Sequence, residues 1–171
     1  MSLAELVPVI VLGLVSLQRL GELLLARRNT ARLLAEGACE VGAGHYPLIV
    51  ALHVAWLTGL WFFVLARGPT LIVGLDWLWL GLFAVLQLGR AWVIASLGRR
   101  WTTRIIVLPG APLVTSGPYR FTNHPNYWVV AGEIATLPLA FGLPWYALVF
   151  SALNAAVMWI RVRTEAAALR P

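Results

Sequence analysis

The chain has 171 residues, of which 60% are hydrophobic and 12% charged, and its mean hydropathy is +0.81. Soluble globular domains carry about 25% charged residues, so this composition excludes an ordinary soluble domain and predicts a single domain embedded in a membrane. The formal net charge is +6 and every basic residue is arginine, but the arginines flank apolar runs instead of lining a polar face, which argues against nucleic-acid binding.

The first apolar run extends from Leu3 to Ala26 and is long enough to cross a bilayer core of about 30 Å. We expect a membrane helix and not a signal peptide, because the run has no positive leading segment and is too long for a signal core. Gln18, Arg19 and Glu22 interrupt its second half and can share one helix face. Charges at this depth are costly unless they are paired, so this face is predicted to turn toward protein as a neutralised pair.

The segment from Arg27 to Gly44 is polar, and a charged residue recurs near every fourth position. The recurring residues are Arg28, Arg32, Glu36 and Glu40. This spacing predicts a helix that lies on the membrane surface, which the glycines at the end of the segment then break. Cys39 is the only cysteine, so no internal disulfide can form, and no metal site is expected.

The second apolar run, from Tyr46 to Ala66, contains a single histidine, His53. A buried histidine bonded to a neighbouring helix is favoured here over a ligand of a metal or cofactor. A short turn at residues 67–69 is predicted to close this run.

The third apolar run, from Leu71 to Leu97, is longer than one crossing requires, so its membrane part is predicted to begin near Asp76. Gln87 and Arg90 lie three residues apart on one face of this helix. Because exposing an arginine to lipid is costly, Arg90 is expected to point inward or to reach toward the polar loop that follows.

Two further apolar runs, Tyr127 to Phe141 and Trp145 to Ile160, are separated by a Gly/Pro turn that predicts an antiparallel helical hairpin. The sequence thus predicts an all-α integral membrane protein with about five transmembrane helices. It forms one domain over residues 1–171, with a three-helix membrane part (1–98), a cofactor-binding loop (99–126), and the hairpin with the carboxyl-terminal tail (127–171). The first hairpin arm is short, so three crossings plus a deep hairpin are an alternative.

Ten of the arginines fall in connections at one side of the predicted helices, and only Arg67 falls in a connection at the other side. The positive-inside rule therefore places the amino terminus outside, and the carboxyl terminus and the polar loop in the cytoplasm. The all-arginine, alanine-rich composition is typical of a GC-rich bacterial genome, so we expect the bacterial inner membrane.

The last helix carries Asn154, Arg161 and Glu165 on one face. A solvated Arg–Glu pair at four-residue spacing would explain two of these residues. A functional site is favoured because the polar loop returns to the same surface directly before the hairpin. That loop supplies the following polar and aromatic side chains: Tyr119, Arg120, His124, Asn126 and Tyr127.

The run Leu-Val-Thr-Ser-Gly-Pro-Tyr-Arg-Phe-Thr-Asn-His-Pro-Asn-Tyr ends at Tyr127, and Arg161-x-x-x-Glu165 follows it in the last helix. Together they resemble the isoprenylcysteine carboxyl methyltransferase family of integral-membrane enzymes that use S-adenosylmethionine. The resemblance covers the carboxyl-terminal part of the chain. It implies that the cofactor is held by Arg104, Leu113, Val114, Gly117, Tyr119, His124, Pro125, Asn126, Tyr127 and Glu165.

The loop looks closer to short bacterial relatives that methylate hydroxyl groups of alkylpyrone or alkylresorcinol lipids. The expected reaction transfers a methyl group to a carboxylate, enol or phenol oxygen of a lipid-like substrate that enters from the bilayer. Arg161, Glu165 and His124 are expected to be catalytic. Substrate binding is expected at Arg161, Asn154, Glu133 and Arg90. An ionised acceptor needs no base, whereas a phenol would give its proton to Glu133 or His124.

Three other functions are compatible with the sequence. A phospholipid or amine N-methyltransferase would share the cofactor loop and differ in the atom methylated. A sterol-reductase-like membrane enzyme would bind NADPH instead of S-adenosylmethionine. A non-catalytic membrane scaffold would bind neither cofactor.

Overall fold

The computed structural model describes the backbone of residues 3–66 and 77–168, and within these the side chains of residues 6–66 and 77–164. Its five α-helices are α1 (Leu3–Ala35), α2 (Tyr46–Ala66), α3 (Trp77–Leu97), α4 (Pro125–Ala140) and α5 (Pro144–Ala168). Two short strands are β1 (Cys39–Val41) and β2 (Ile105–Val107). The predicted turn at residues 67–69 and the predicted helix start at Asp76 lie outside the described residues.

Four helical segments in the described part of the chain are long and apolar enough to cross a membrane. They are Leu6–Ala35, Ala43–Ala66, Trp77–Arg100 and Pro144–Thr164. Helix α4 has 16 residues, which at about 1.5 Å per residue is shorter than a bilayer core of about 30 Å. Nine of those residues are buried, so α4 is surrounded by protein along much of its length. The protein is therefore an integral membrane protein in which α4 is short and largely enclosed by the rest of the chain.

The all-α prediction is wrong in one respect, because β1 and β2 form a two-stranded antiparallel sheet. Cys39 is opposite Val107, and Val41 is opposite Ile105. The whole of α2 and α3 lies between the two strands in sequence, and neither strand is long enough to show an alternating pattern. Their pairing depends on the two polar segments meeting at the same end of the helical bundle.

The predicted separate surface helix through Glu40 is also wrong. Helix α1 continues without a break as far as Ala35, and Glu40 lies in β1. A glycine turn stops the helix: Gly37 has φ 91°. The N–H groups of Gly37 and Ala38 donate to the carbonyls of Leu34 and Leu33 at 3.1 and 3.0 Å. This pair of bonds is the Schellman arrangement, which leaves the following residues free to extend as a strand.

The predicted hairpin is present between α4 and α5. The N–H groups of Gly142 and Leu143 donate to the carbonyls of Leu139 and Pro138 at 3.0 and 2.9 Å. Gly142 has φ 68°, a conformation that glycine adopts without strain. The turn directs α5 back along α4 toward the end of the bundle where the polar loop lies.

The main hydrophobic core surrounds α4. Its fully or almost fully buried side chains include Leu12 of α1, Leu60 of α2, and Ile134 and Leu137 of α4. Phe141, at the hairpin turn, is 2% exposed and closes the same cluster. Helix α4 thus packs mainly against α3 and α5, its side chains meet those of α1 and α2 in the core, and its first turn follows the polar loop.

Candidate active site

A cavity of about 370 Å³ lies among α1, α2, α4, α5, the Arg90 side chain of α3 and the segment just before β2. Much of its wall is aliphatic, with side chains such as Leu20, Val54, Leu57 and Met158. The polar residues of its wall are Ser16, Arg19, Glu22, Tyr46, His53, Arg90, Thr102, Thr103, Asn126, Tyr127 and Arg161. The cavity therefore joins apolar surface from membrane helices to a polar wall formed partly by the loop.

Arg161 of α5 is held at the polar end of the cavity by two hydrogen bonds. Its Nε donates to the Tyr127 hydroxyl at 2.9 Å, and its Nη1 donates to the Thr103 carbonyl at 3.0 Å. The guanidinium carbon also lies 5.7 Å from the centre of the Tyr127 ring. These two bonds use two of the five N–H groups of an arginine, which leaves donors available for a ligand.

His124 and Tyr127 form a stacked pair at the start of α4, with ring centres 4.9 Å apart and an interplanar angle of 6°. The sequence explains the arrangement. Pro125 starts the helix, where its missing N–H costs nothing, and His124 occupies the position before it. Tyr127 is then three residues further along, on the same side of the first turn. The His-Pro-x-Tyr motif thus places two stacked aromatic rings next to Arg161.

Asn126 lines the cavity, and its Oδ1 atom is buried without a hydrogen-bond partner among the described residues. The Oδ1 atom of Asn154, which is 2% exposed, is likewise buried without a described partner, although Asn154 does not line the cavity. Buried amide oxygens are normally hydrogen-bonded, so each of these acceptors suits a water molecule or a donor group of a ligand.

Arg90 and Glu133, both predicted to bind substrate, form part of a buried ion-pair network between α1, α3 and α4, and Arg90 also lines the cavity. Arg90 donates to both carboxylate oxygens of Glu22 at 2.7 and 2.6 Å, and to Glu133 at 3.1 Å. Arg19 donates to Glu22 at 3.0 Å and to Glu133 at 2.8 Å. Gln87 adds a bond to Glu133 at 2.7 Å. The positive charges of two arginines thus balance the negative charges of two glutamates. Arg19, Glu22 and Arg90 line the cavity, whereas Glu133 does not.

Part of the predicted cofactor segment packs on α3, away from the cavity wall. Tyr119 lies against a buried cluster of Ala26, Val93 and Trp101. Gly117, with φ 61°, is so close to Ser96 that a Cβ atom there would clash with the serine side chain. The side chain of Leu113 is 74% exposed, Val114 is half-buried and Pro125 is buried. None of these residues lines the cavity described above.

Arg104 forms an ion pair with Glu40 at 2.8 Å, and its guanidinium lies 4.8 Å from the centre of the Tyr46 ring. The hydrogen bond that Arg104 donates to Glu40, together with the charge of that carboxylate, raises the pKa of Arg104 above its usual value. Arg104 therefore connects the two strands of the sheet to the start of α2, beside the cavity and not in its wall.

The side chain of Glu165 lies outside the described residues, although the backbone of α5 continues past it. Thr164, the residue before Glu165, packs closely on Gly42. A Cβ atom added to Gly42 would clash with the methyl group of Thr164. The carboxyl-terminal end of α5 thus returns to the loop that follows β1, at the same end of the bundle as Arg161.

His53 lines the cavity and is a residue whose role the sequence did not reveal. The predicted partner on a neighbouring helix is wrong, because Nδ1 contacts the carbonyl of Ile49 on the same helix at 2.8 Å. A carbonyl only accepts, so Nδ1 carries the proton and Nε2 of the neutral ring keeps a lone pair. Tyr46, Ile49 and His53 are three and four residues apart, so they lie on one face of α2. This spacing in the sequence would have predicted that they line the same surface.

Comparison with known proteins agrees with the resemblance seen in the sequence. The model of the isoprenylcysteine carboxyl methyltransferase (ICMT) family matches residues 79–171. A Bacillus subtilis (strain 168) protein named Uncharacterized protein YpbQ is 37% identical over 166 residues, which are 94% of this chain and 95% of that protein. An uncharacterized protein of Haemophilus influenzae (strain ATCC 51907 / DSM 11121 / KW20 / Rd) is 27% identical over 147 residues, 83% of each chain. No solved structure matches the chain. The chain belongs to the ICMT family, whose members are S-adenosylmethionine-dependent membrane methyltransferases.

Proposed function

We propose that the protein transfers a methyl group from S-adenosylmethionine to an oxygen atom of a lipid-like substrate that enters from the bilayer. The observation that carries this proposal is the cavity, whose aliphatic wall belongs to membrane helices and whose polar end holds Arg161, Tyr127 and Asn126. Ligand cavities of this kind, mostly apolar with a few converging polar groups, fix both the place and the orientation of a substrate.

The residues at the polar end fit the cofactor. The Asn126 Oδ1 atom is an acceptor for an amino or hydroxyl group, and the stacked rings of His124 and Tyr127 offer an aromatic face to a base or a cation. The resemblance adds Glu165 as an acceptor for the cofactor ammonium group. When bound, S-adenosylmethionine supplies a methyl group activated by its sulfonium. A Glu165→Gln variant that binds S-adenosylhomocysteine as tightly as the native protein would remove Glu165 from the site.

The resemblance implies cofactor contacts for six residues outside the cavity wall, and we propose that they support the site by holding the loop in place. They are Arg104, Leu113, Val114, Gly117, Tyr119 and Pro125. Gly117 and Tyr119 attach the loop to α3, and Arg104 attaches it to β1. These attachments hold the loop in position before α4 begins, so that Asn126 and Tyr127 face the cavity. Asn154 is buried on the same face of α5 as Arg161, two turns earlier and outside the cavity wall, and we propose that it supports the orientation of α5.

Arg161 is proposed to orient the acceptor and to neutralise its charge. An arginine matches a carboxylate or enolate oxygen pair with parallel N–H groups, and Arg161 is already fixed by Tyr127 and Thr103. A fixed donor needs little reorganisation during the reaction, which is how such groups stabilise developing or transferred charge. The aliphatic wall excludes water and receives the alkyl part of the acceptor.

An acceptor that is already ionised needs no base. For a phenol, the cavity wall offers His53, whereas the predicted base His124 stacks on Tyr127 and does not itself line the cavity. Glu133 is poorly suited, since Arg19, Gln87 and Arg90 all donate to its carboxylate. The Nδ1 atom of His53 donates to the Ile49 carbonyl, so in the neutral form of the ring Nε2 has a lone pair that can accept a proton within the cavity. Unchanged methylation of a phenolic acceptor by a His53→Gln variant would exclude this role.

Binding and product analysis together test the proposal. We expect the purified protein in detergent to bind S-adenosylhomocysteine in isothermal titration, and to transfer labelled methyl from S-adenosylmethionine to an alkylpyrone or alkylresorcinol. Phosphatidylethanolamine and a prenylated cysteine serve as competing acceptors in parallel reactions. Methylation of the amine alone would assign an N-methyltransferase, tight binding of NADPH alone would assign a reductase, and binding of neither cofactor would leave a scaffold.

We also propose that the loop and the carboxyl terminus face the cytoplasm of a bacterial inner membrane, with the amino terminus outside. Cys39 tests this directly, because it is the only cysteine of the chain and lies exposed in β1 at the loop end of the bundle. A membrane-impermeant maleimide is expected to label it in inside-out vesicles and not in intact spheroplasts. The reverse labelling pattern would invert the topology.

A further inference from the structure

A second cavity, of about 500 Å³, lies between the carboxyl-terminal ends of α1 and α3. Arg28 and Arg32 of α1 line it together with Arg99, which follows α3. Apolar side chains, including Leu25 and Ile94, line it as well. We call it the basic groove. It shares no lining residue with the active-site cavity, so it is a separate feature of the molecule.

The charge of the basic groove is not balanced within the described part of the chain. No described carboxylate forms an ion pair with Arg28, Arg32 or Arg99, whereas Arg19, Arg90 and Arg104 each pair with at least one. The side chain of Arg32 is half-buried and those of Arg28 and Arg99 are exposed. Three guanidinium groups in one concave site therefore present an uncompensated positive field, and arginine binds phosphate with parallel hydrogen bonds.

The walls of the basic groove are fixed by a buried asparagine. Asn29 is 3% exposed, and its Nδ2 donates to the carbonyls of Gly98 and Trp101 at 3.1 and 2.8 Å. These bonds tie the end of α1 to the turn after α3. Arg28 and Arg32 are four residues apart, so they project from the same face of α1 one turn apart. The three arginines are therefore held near one another by the backbone before any ligand binds.

The surroundings of the basic groove indicate what kind of phosphate it would receive. Both helices that form it are long and apolar enough to cross a membrane, and the groove lies at their ends. Leu25 of α1 and Ile94 of α3 line the groove with apolar side chains, and Leu25 is exposed. A phosphate on an acyl glycerol could place its charge among the arginines and its chains along these side chains.

We propose that the basic groove binds the phosphate group of an anionic membrane lipid such as phosphatidylglycerol. Basic pockets between transmembrane helices recognise anionic headgroups by this combination of charge and adjoining apolar surface. The inference does not depend on the methyltransferase activity, because it concerns the other side of α1 and can be tested by binding alone.

The test measures binding of dioleoyl phosphatidylglycerol to the full-length protein in mixed dodecyl maltoside micelles. Arg32→Gln/Arg99→Gln removes two charges from the groove. Arg27→Gln/Arg163→Gln removes two charges elsewhere, because Arg27 does not line the groove and Arg163 lies on Trp159. We expect the groove variant to bind roughly 25-fold more weakly, at roughly fivefold per arginine, and the control to stay within about twofold of the native protein.

Four results would overturn the proposal. Equal weakening in both double variants would show attraction to the overall charge of the protein. Equal binding of dioleoyl phosphatidylcholine would show no need for an anionic headgroup. Displacement of the lipid by millimolar inorganic phosphate would indicate that the natural ligand of the groove is a soluble phosphate and not a lipid. Should the double variant lose its helical circular dichroism, the single variant Arg28→Gln replaces it, and unchanged binding by that variant would exclude the groove.

Discussion

Arg161 combines a fixed position with N–H donors that no side chain or carbonyl in the described part of the chain occupies, and this makes it the most informative single residue of the active site. Its Nε and Nη1 atoms are held by Tyr127 and by the Thr103 carbonyl, so its orientation does not depend on a ligand. An arginine that is anchored in this way can meet a substrate oxygen without the entropy loss of ordering a long side chain.

Arg161→Ala is therefore expected to lower turnover by about two to three powers of ten, as loss of one charge-stabilising donor does in other enzymes. The measurement is methyl transfer from labelled S-adenosylmethionine by protein of native helicity. Arg163→Ala is the matched control, because Arg163 is exposed, two residues away, and packs on Trp159. Equal activity in both variants would contradict the role given to Arg161.

The resemblance implies that Tyr119 contacts the cofactor, but Tyr119 does not line the cavity. Its side chain belongs to the cluster that joins α1, α3 and Trp101, and not to the cavity wall where Asn126 and Tyr127 lie. One loop thus serves two purposes: its middle part attaches to α3, and its end presents side chains to the active site. The attachment explains why the loop needs glycine at residue 117, where a side chain would clash with Ser96.

At the level of elements, the end of α1 determines where the β-sheet can form. The helix must stop at Gly37 for β1 to begin two residues later and to pair with β2. Because Gly37 has φ 91° and a Cβ atom there would meet nothing within 4 Å, its requirement is conformational and not steric.

Gly37→Ala is accordingly expected to destabilise the protein by about 1–2 kcal/mol, the cost of a left-handed conformation for a residue with a side chain. Gly21→Ala, inside α1 and equally free of neighbours, is the control. It is expected to be neutral or to stabilise by up to about 1 kcal/mol, because alanine is the better helix former. Thermal unfolding in detergent compares the two variants, and equal melting temperatures would contradict the assigned role of Gly37.

At the level of the whole molecule, the ion-pair network joins helices that are far apart in sequence. Glu22 of α1 and Glu133 of α4 are both bonded to Arg90 of α3 and to Arg19 of α1. Charges of this kind are costly inside a membrane protein unless each has its partner, so the network favours one arrangement of the three helices over shifted ones.

Removing one carboxylate from the network is expected to destabilise the bundle strongly. Glu22→Gln keeps the shape of the side chain but leaves the two arginines with one counterion, and we expect a loss of about 3–5 kcal/mol in the free energy of unfolding. Glu36→Gln, in the exposed residue just after α1, is expected to change it by less than about 0.5 kcal/mol. Unfolding by sodium dodecyl sulfate measures both. Similar values for the two variants would show that the network contributes nothing.

The sequence by itself determined the features that depend on near neighbours along the chain. Run lengths gave the membrane helices, Gly142 and Pro144 gave the hairpin, and the His-Pro-x-Tyr motif with Arg161 gave the family. Each of these is encoded in a short stretch, because helix length, turn conformation and side-chain spacing are local properties.

Only the tertiary structure decided which of these stretches meet. The pairing of β1 with β2, the partners of Glu133 and the place of His53 in the cavity wall all depend on contacts between segments far apart in sequence. The periodicity of one helix shows that a face is polar, but it does not show which helix will cover that face. Burial requires every charge on such a face to find a partner, and that partner is supplied by another part of the chain.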